Sequence, residues 1–482
     1  MNNLLKKSSS KQNISLHQEL NAYGKSGCYP FHMPGHKRQL TGFGDPWQLD
    51  ITEIDGFDNL HHATGILEQL QQQAAELFGS RRSFLLVNGS TCGLLAAISA
   101  CISIGGKLLM SRNCHKAVYH ALELRSLRPV YLMPERSSLG IMGSLSPDAV
   151  ESALDADPEI GAVLVVSPTY DGVVSDIRAI AALSHSRGIP LIVDEAHGAH
   201  FPLSSHFPAS ALRCGADVVV ESLHKTLPAF TQTAVLHVNS DLVSEDAVRR
   251  FLGIYQTSSP SYLLMASADC CLQLIAREGP KRFGELRTRL DTFYQEMSRL
   301  SYMECLKPLD TFAWDDSKIL LSGQRLGLSG PSLARLLREH YRLEMEMASG
   351  HYVLALSSLM DTEEGFQRLY EACAEIERQF SLNPTPVLAD MIDRSDIYRL
   401  PMAACSIAGA MQQPCRTIPL EEAAGQVSQE YLYLYPPGIP LIVPGEYIYP
   451  DLLSLILELR AADLELNGLS DMTNQRINIV IS

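Results

Sequence analysis

Lys225 is the side chain around which chemistry in this 482-residue chain can be arranged. It lies in residues 220–234, Val-Glu-Ser-Leu-His-Lys-Thr-Leu-Pro-Ala-Phe-Thr-Gln-Thr-Ala, just after the apolar run 216–220. Lysine is strongly hydrated and is rarely buried without a reason. Held in a dry site, it loses its proton more easily and becomes a nucleophilic amine, able to form a Schiff base with an aldehyde. Ser222, His224 and Thr226 could supply donors to a phosphate beside it. Taken alone, the stretch also suits a surface lysine in a loop.

A second stretch narrows the choice. Residues 190–200 read Pro-Leu-Ile-Val-Asp-Glu-Ala-His-Gly-Ala-His. The run 191–193 has the continuous apolar character of a buried parallel strand. Asp194 then falls at the carboxyl end, where open α/β sheets place their ligands. A carboxylate there can keep a pyridine nitrogen protonated by charge pairing, which makes the ring an electron sink. About thirty residues separate Asp194 from Lys225, room for a crossover and one more strand. Lysine for an aldehyde and aspartate for a ring nitrogen together suit pyridoxal 5'-phosphate.

A phosphate needs a site of its own. A short strand at 83–87 leads into Asn88-Gly89-Ser90-Thr91 and then an apolar helix at 92–102. Free N–H groups at a helix start, with the helix dipole, receive an anion. Ser90 and Thr91 are the side chains placed for it. By itself the pattern is also that of an ordinary capped helix.

These residues need a scaffold, and the pattern supplies one. Strands are expected at 107–111, 129–133, 162–166, 191–193, 216–220 and 235–238, with helices at 67–78, 147–154 and 176–186. The alternation predicts an α/β domain, a mostly parallel sheet wrapped by helices. A helical stretch at 287–300 bridges to a smaller α+β domain. There, strands are expected at 317–321 and 352–357 and helices at 332–339 and 364–380. The expected divisions are an N-terminal arm at 1–62, a large cofactor-binding domain at 63–286, a small domain at 287–382 and a C-terminal domain at 383–482. The proline-rich run 383–387 marks the last boundary, and 1–13 reads as a frayed polar tail.

Composition excludes several classes. The formal charge of −15, from 39 basic and 54 acidic side chains, argues against a nucleic-acid partner. No apolar run is long enough to span a membrane, and the polar, basic start is not a secretory signal. Eleven cysteines without regular spacing indicate a reducing compartment, no disulfide framework and no metal site. The cytoplasm is the expected location.

The chain resembles the bacterial ornithine/lysine/arginine decarboxylases, which have the aspartate-aminotransferase-like fold (pyridoxal-phosphate fold type I). Val220, Ser222, His224, Lys225, Ala229, Thr231, Gln232, Thr233 and Ala234 fit that family's lysine motif, while Pro228 departs from it. Phe31, His32, Pro34, Gly35, His36 and Lys37 match a further block, as do residues 50–53 and 58–60, with Asn59 replacing an acidic residue. Asn88–Thr91, the Pro-Thr-Tyr-x-Gly loop at 168–172 and the blocks 418–425 and 433–446 extend the likeness. Gln426 stands where an arginine is usual.

The resemblance implies decarboxylation of a basic amino acid to an amine, of the kind that feeds polyamine biosynthesis. It implies Lys225 as the cofactor lysine, Asp194 at the ring nitrogen and His115 stacked on the ring. His197 would orient the cofactor or the substrate carboxylate. Ser90, Thr91, Ser222 and His224 would sit at the cofactor's phosphate, and Lys225 or a histidine would return a proton to the α-carbon. It also implies a homodimer or higher oligomer, with Ser258 and Ser259 reaching a neighbour's phosphate. Arginine, lysine and ornithine all stay open as substrates, with Asp55, Asp58 and Glu446 as available acids for their side chains. Transamination, α,β-elimination, or a cofactor-bound protein without turnover are the competing readings.

Overall fold

The computed structural model describes residues 15–137, 139, 141–308, 310–381, 400, 402–434, 439–461 and 466–481. The expected tail, the proline-rich boundary and residues 435–438 of the C-terminal block lie outside them.

Seven strands form the central sheet, in the order Arg82–Leu86, Ala234–Val238, Val218–Glu221, Leu191–Asp194, Ile160–Val166, Lys107–Ser111, Arg128–Leu132. Ala234–Val238 runs antiparallel to both neighbours, and every other pair is parallel. Strand side chains alternate between faces, and the two faces feed separate cores. Leu109, Val163, Val165, Leu191, Val193, Val219 and Val235 join one cluster. Leu108, Met110, Ala162, Leu164, Ile192, Val218, Val220 and Leu236 join the other. Both faces are thus covered, as a mostly parallel sheet requires.

Helix Gly89–Cys101 packs against one face at close range. A Cβ on Gly93 would lie 2.9 Å from Val220 Cγ1 and 2.6 Å from Leu86 Cδ1, so any larger residue would have to displace those buried side chains. The helix begins three residues earlier than its apolar run suggests, which puts Gly89, Ser90 and Thr91 in its first turn. Helix Ile66–Phe78 ends at Gly79, which takes the left-handed conformation with φ 76°, as expected for a glycine C-terminal cap.

The bridging helix is longer than the sequence pattern predicts. It runs Tyr262–Met297, 36 residues, with Pro280 inside it. Proline breaks one backbone hydrogen bond and reads as a stop. Burial of Met265, Leu272, Ile275, Phe283, Leu286, Leu290 and Phe293 along one side carries the helix across it.

Beyond it, a four-stranded antiparallel sheet has the order Glu304–Leu306, Lys318–Ser322, Val353–Leu356, Met347–Ala348. Helices Gly330–Tyr341 and Glu363–Phe380 accompany it. The N-terminal arm is tied here, because Tyr29–Phe31 pairs parallel with Leu343–Met345. The C-terminal region has its own small sheets and core around Leu432, Ile442, Ile456 and Ile479. Glu446 anchors it through a buried 2.9 Å ion pair with Arg112.

Candidate active site

Five strands of the central sheet end at one cavity of about 370 Å³. Leu191–Asp194 delivers Asp194 and, after a short turn, His197. Val218–Glu221 leads into the one-turn helix Leu223–Thr226, which carries His224 and Lys225. Lys107–Ser111 leads to Asn113 and His115. Ile160–Val166 leads to Thr169, Tyr170 and Asp171, and Arg82–Leu86 leads to Ser90. All of these line the cavity, as the rule for carboxyl ends of parallel strands requires.

Lys225 Nζ donates to His197 Nε2 at 2.9 Å. Burial lowers the Lys225 pKa, with the Asp194 charge opposing it. Burial pushes His197 well below its ordinary value, and the Lys225 charge adds to that. A neutral ring accepting at Nε2 carries its proton on Nδ1, and that buried atom has no hydrogen-bond partner. Burial raises the Asp194 carboxyl while the Lys225 charge pulls it down. Ala196 N donates to Asp194 Oδ1 at 3.2 Å.

The other two histidines are also held neutral. Burial brings His115 to about 3 and His224 to about 4. Ala117 N donates to His115 Nδ1 at 3.2 Å, which orients the ring at the start of helix Lys116–Leu124. His224 Nδ1 is 2.9 Å from Thr233 O and donates to it, leaving Nε2 for the cavity.

Ser222 is fully buried, its Oγ without a partner. Thr91 is exposed beside Ser90, at the helix start, and is not part of the cavity wall. Ser258 and Ser259 are exposed and outside this wall. Gln256 in the same loop is buried, with Val87 N donating to its Oε1 at 2.9 Å.

The block around residues 29–37 supports the lysine rather than supplying acid–base groups. Gly35 N donates to His224 O at 2.8 Å. A Cβ on Gly35 would lie 2.8 Å from Leu227 O, so the arm touches the lysine turn through bare backbone. Lys37 is buried and donates to the carbonyls of Pro30, His32 and Leu356.

The acids available to a cationic substrate differ from those expected. Asp58 is occupied as a cap, accepting from Gly65 N at 2.8 Å and Leu67 N at 3.1 Å. Glu446 is spent on Arg112 and Val443 N, and Asp55 is not on the cavity wall. Glu346 and Asp171 are. Tyr170 OH donates to Glu346 Oε1 at 2.5 Å and Met33 N donates to Oε2 at 2.7 Å. Nothing in the Leu-Glu-Met-Glu-Met run 343–347 distinguishes Glu346 from Glu344 before the pairing of Tyr29–Phe31 with Leu343–Met345 is known.

Residues 15–346 match the family described as Orn/Lys/Arg decarboxylase, major domain, and residues 395–473 match its C-terminal domain. The chain is 32% identical to an arginine decarboxylase of Halalkalibacterium halodurans over 95% of this chain and 96% of that protein. It is 35% identical to an uncharacterized protein of Bacillus subtilis, YaaO, over 90% and 92% of the two chains. The constitutive lysine decarboxylase of Escherichia coli superposes with a TM-score of 0.76 at 22% identity, over 96% of this chain and 81% of that one.

Proposed function

The chain belongs to the Orn/Lys/Arg decarboxylase family, and on that premise we propose that it decarboxylates a basic amino acid, arginine, to the amine and carbon dioxide. The observation that carries the substrate class is Glu346, a carboxylate on the wall of the cavity that holds Lys225. A cationic side chain taken out of water needs such a partner, because an unpaired buried charge is costly. Arginine is favoured among the three by the curated relative of that name at 32% identity over nearly the full length.

Pyridoxal phosphate is the cofactor in this reading, and the residues fit it. A buried lysine with a lowered pKa, a carboxylate and a helix start converge on one cavity, and the buried, unpartnered hydroxyl of Ser222 lies behind its wall in the lysine turn. Lys225 would bind its aldehyde carbon, Asp194 its ring nitrogen, and His115 would flank the ring. Ser90, Ser222 and His224 would hold the phosphate, while the exposed Thr91 side chain stays outside the wall. When bound, the group supplies the sink for the electron pair left as carbon dioxide departs.

The chain's own residues do the rest. His197 holds Lys225 Nζ, whose lowered pKa lets it give up a proton more readily than an ordinary lysine. That property is what return of a proton to the α-carbon requires. Glu346, fixed by Tyr170 and Met33, orients the substrate from its far end.

The test is product analysis of purified, cofactor-loaded protein with arginine, lysine and ornithine. Agmatine should form from arginine with stoichiometric carbon dioxide. Failure with all three, alongside turnover of a neutral amino acid, overturns the substrate class. The same reading includes a homodimer or larger assembly. Trp47, 90% exposed, with Ile54 and Phe57 also exposed, supports this as exposed apolar side chains on the arm. Sedimentation showing a fully active monomer would overturn it.

A further inference from the structure

The cavity wall carries a second carboxyl group that the reading above leaves unused. Asp171 lies in the loop after Ile160–Val166, and Tyr352 OH donates to its Oδ1 at 2.6 Å. Its neighbour Tyr170 donates to Glu346. The two pairs cross. Tyr170 of loop 168–172 holds Glu346, and Tyr352, in the hairpin formed by strands Met347–Ala348 and Val353–Leu356, holds Asp171 of the loop. The loop backbone is pinned as well, since Trp314 Nε1 donates to Asp171 O at 2.9 Å. Gly172, at φ +94°, leaves no space for a Cβ, which would lie 2.8 Å from Asp315 O. Both carboxylates are therefore set by protein contacts alone.

We propose that Asp171 is a specificity-determining residue, a second anchor that acts with Glu346 to select a guanidinium over a primary ammonium at the far end of the substrate. The proposal rests on the decarboxylase reading. A guanidinium spreads five N–H donors over a rigid plane and can meet separate carboxylates along different edges. An ammonium is a compact, strongly hydrated charge, and one carboxylate serves it. Burial outweighs everything in the protein that favours the charged form of Asp171, so its carboxyl lies at about 6. A cation arriving in the cavity supplies the missing partner.

The test compares kcat/KM for arginine, lysine and ornithine in the wild-type holoenzyme, Asp171→Asn and Tyr352→Phe, with titration of agmatine and cadaverine as a binding readout. Asp171→Asn should reduce the arginine-to-lysine ratio of kcat/KM by about tenfold or more, the scale of a lost charge-assisted contact. Agmatine binding should weaken more than cadaverine binding. Tyr352→Phe, which keeps the carboxylate but frees it, should shift the ratio the same way by less. An unchanged ratio in folded Asp171→Asn overturns the role of Asp171 and leaves the function standing. A wild-type preference for lysine or ornithine overturns that role together with the choice of arginine, and leaves decarboxylation of a basic amino acid standing. A wild-type protein that decarboxylates none of the three removes both.

Discussion

The floor of the cavity and its far wall are built in opposite ways. Lys225, Asp194, His197, His115 and Ser90 stand at the ends of strands in one sheet, each within a few residues of a strand whose register two cores enforce. Glu346 and Tyr352 flank strand Met347–Ala348 and Met33 belongs to the arm, and Glu346 and Tyr352 are held by the loop bearing Tyr170 and Asp171, while the arm also meets the lysine turn through Gly35. The floor offers groups that any amino-acid substrate of such a cofactor would use. The wall offers groups that distinguish one side chain from another. On the proposed reading, reaction type rests on the sheet, and selectivity rests on the segments held against it at loop 168–172.

Substitutions in the two regions should fail differently. Lys225→Ala should give the largest loss, on the order of 10³-fold or more in kcat with every substrate, because it removes a covalent contact and a proton carrier together. Borohydride treatment and peptide mapping should then find no cofactor fixed to the variant. Fixation at another lysine in the wild type would break the assignment of the floor. Asp194→Asn keeps shape but loses the charge. Turnover should fall by about 10²-fold or more, while absorbance shows the cofactor still bound. Near-normal turnover would sink its role.

Glu346→Gln belongs to the wall and should act through KM. The KM for arginine should rise by about 10- to 100-fold, the scale of a lost ion pair in a dry site, with a much smaller fall in kcat. A loss confined to kcat would move Glu346 to the floor and erase the contrast.

The contrast also explains what could be read from the chain. Floor residues sit in local signatures, an apolar run followed by a polar turn, so Asp194, Lys225 and Ser90 were legible with the sheet that carries them. The long helix Tyr262–Met297 was legible only from residue 287 onward, because Pro280 signals a break that tertiary burial overrides. Glu346 and Asp171 were not legible as a pair. Their meeting depends on Tyr29–Phe31 pairing with Leu343–Met345 and on loop 168–172 meeting a hairpin far along the chain. No local periodicity encodes such contacts. Asp58 and Glu446 looked equally available, and only the geometry shows that a helix cap and Arg112 already engage them.

The smallest expected effect is on stability, and its sign is informative. The Asp171 carboxyl is raised by burial from its ordinary value of 3.8 to about 6, with the Tyr352 hydroxyl opposing the shift. Between those values the folded protein binds more protons at this position than the unfolded chain does. Stability from this group is therefore greatest in acid and declines as pH rises through about 6. Asparagine can still accept from Tyr352 and carries no charge to desolvate. Asp171→Asn should be more stable than wild type at pH 8 by about 1–3 kcal/mol, and the advantage should vanish near pH 4. Thermal melts of both proteins across that range measure it. A gain equal at both ends would mean that packing, not charge, sets the difference. A gain that grows with pH would mean that the protein holds a destabilised carboxylate at the wall, to be paired only when a cationic substrate enters.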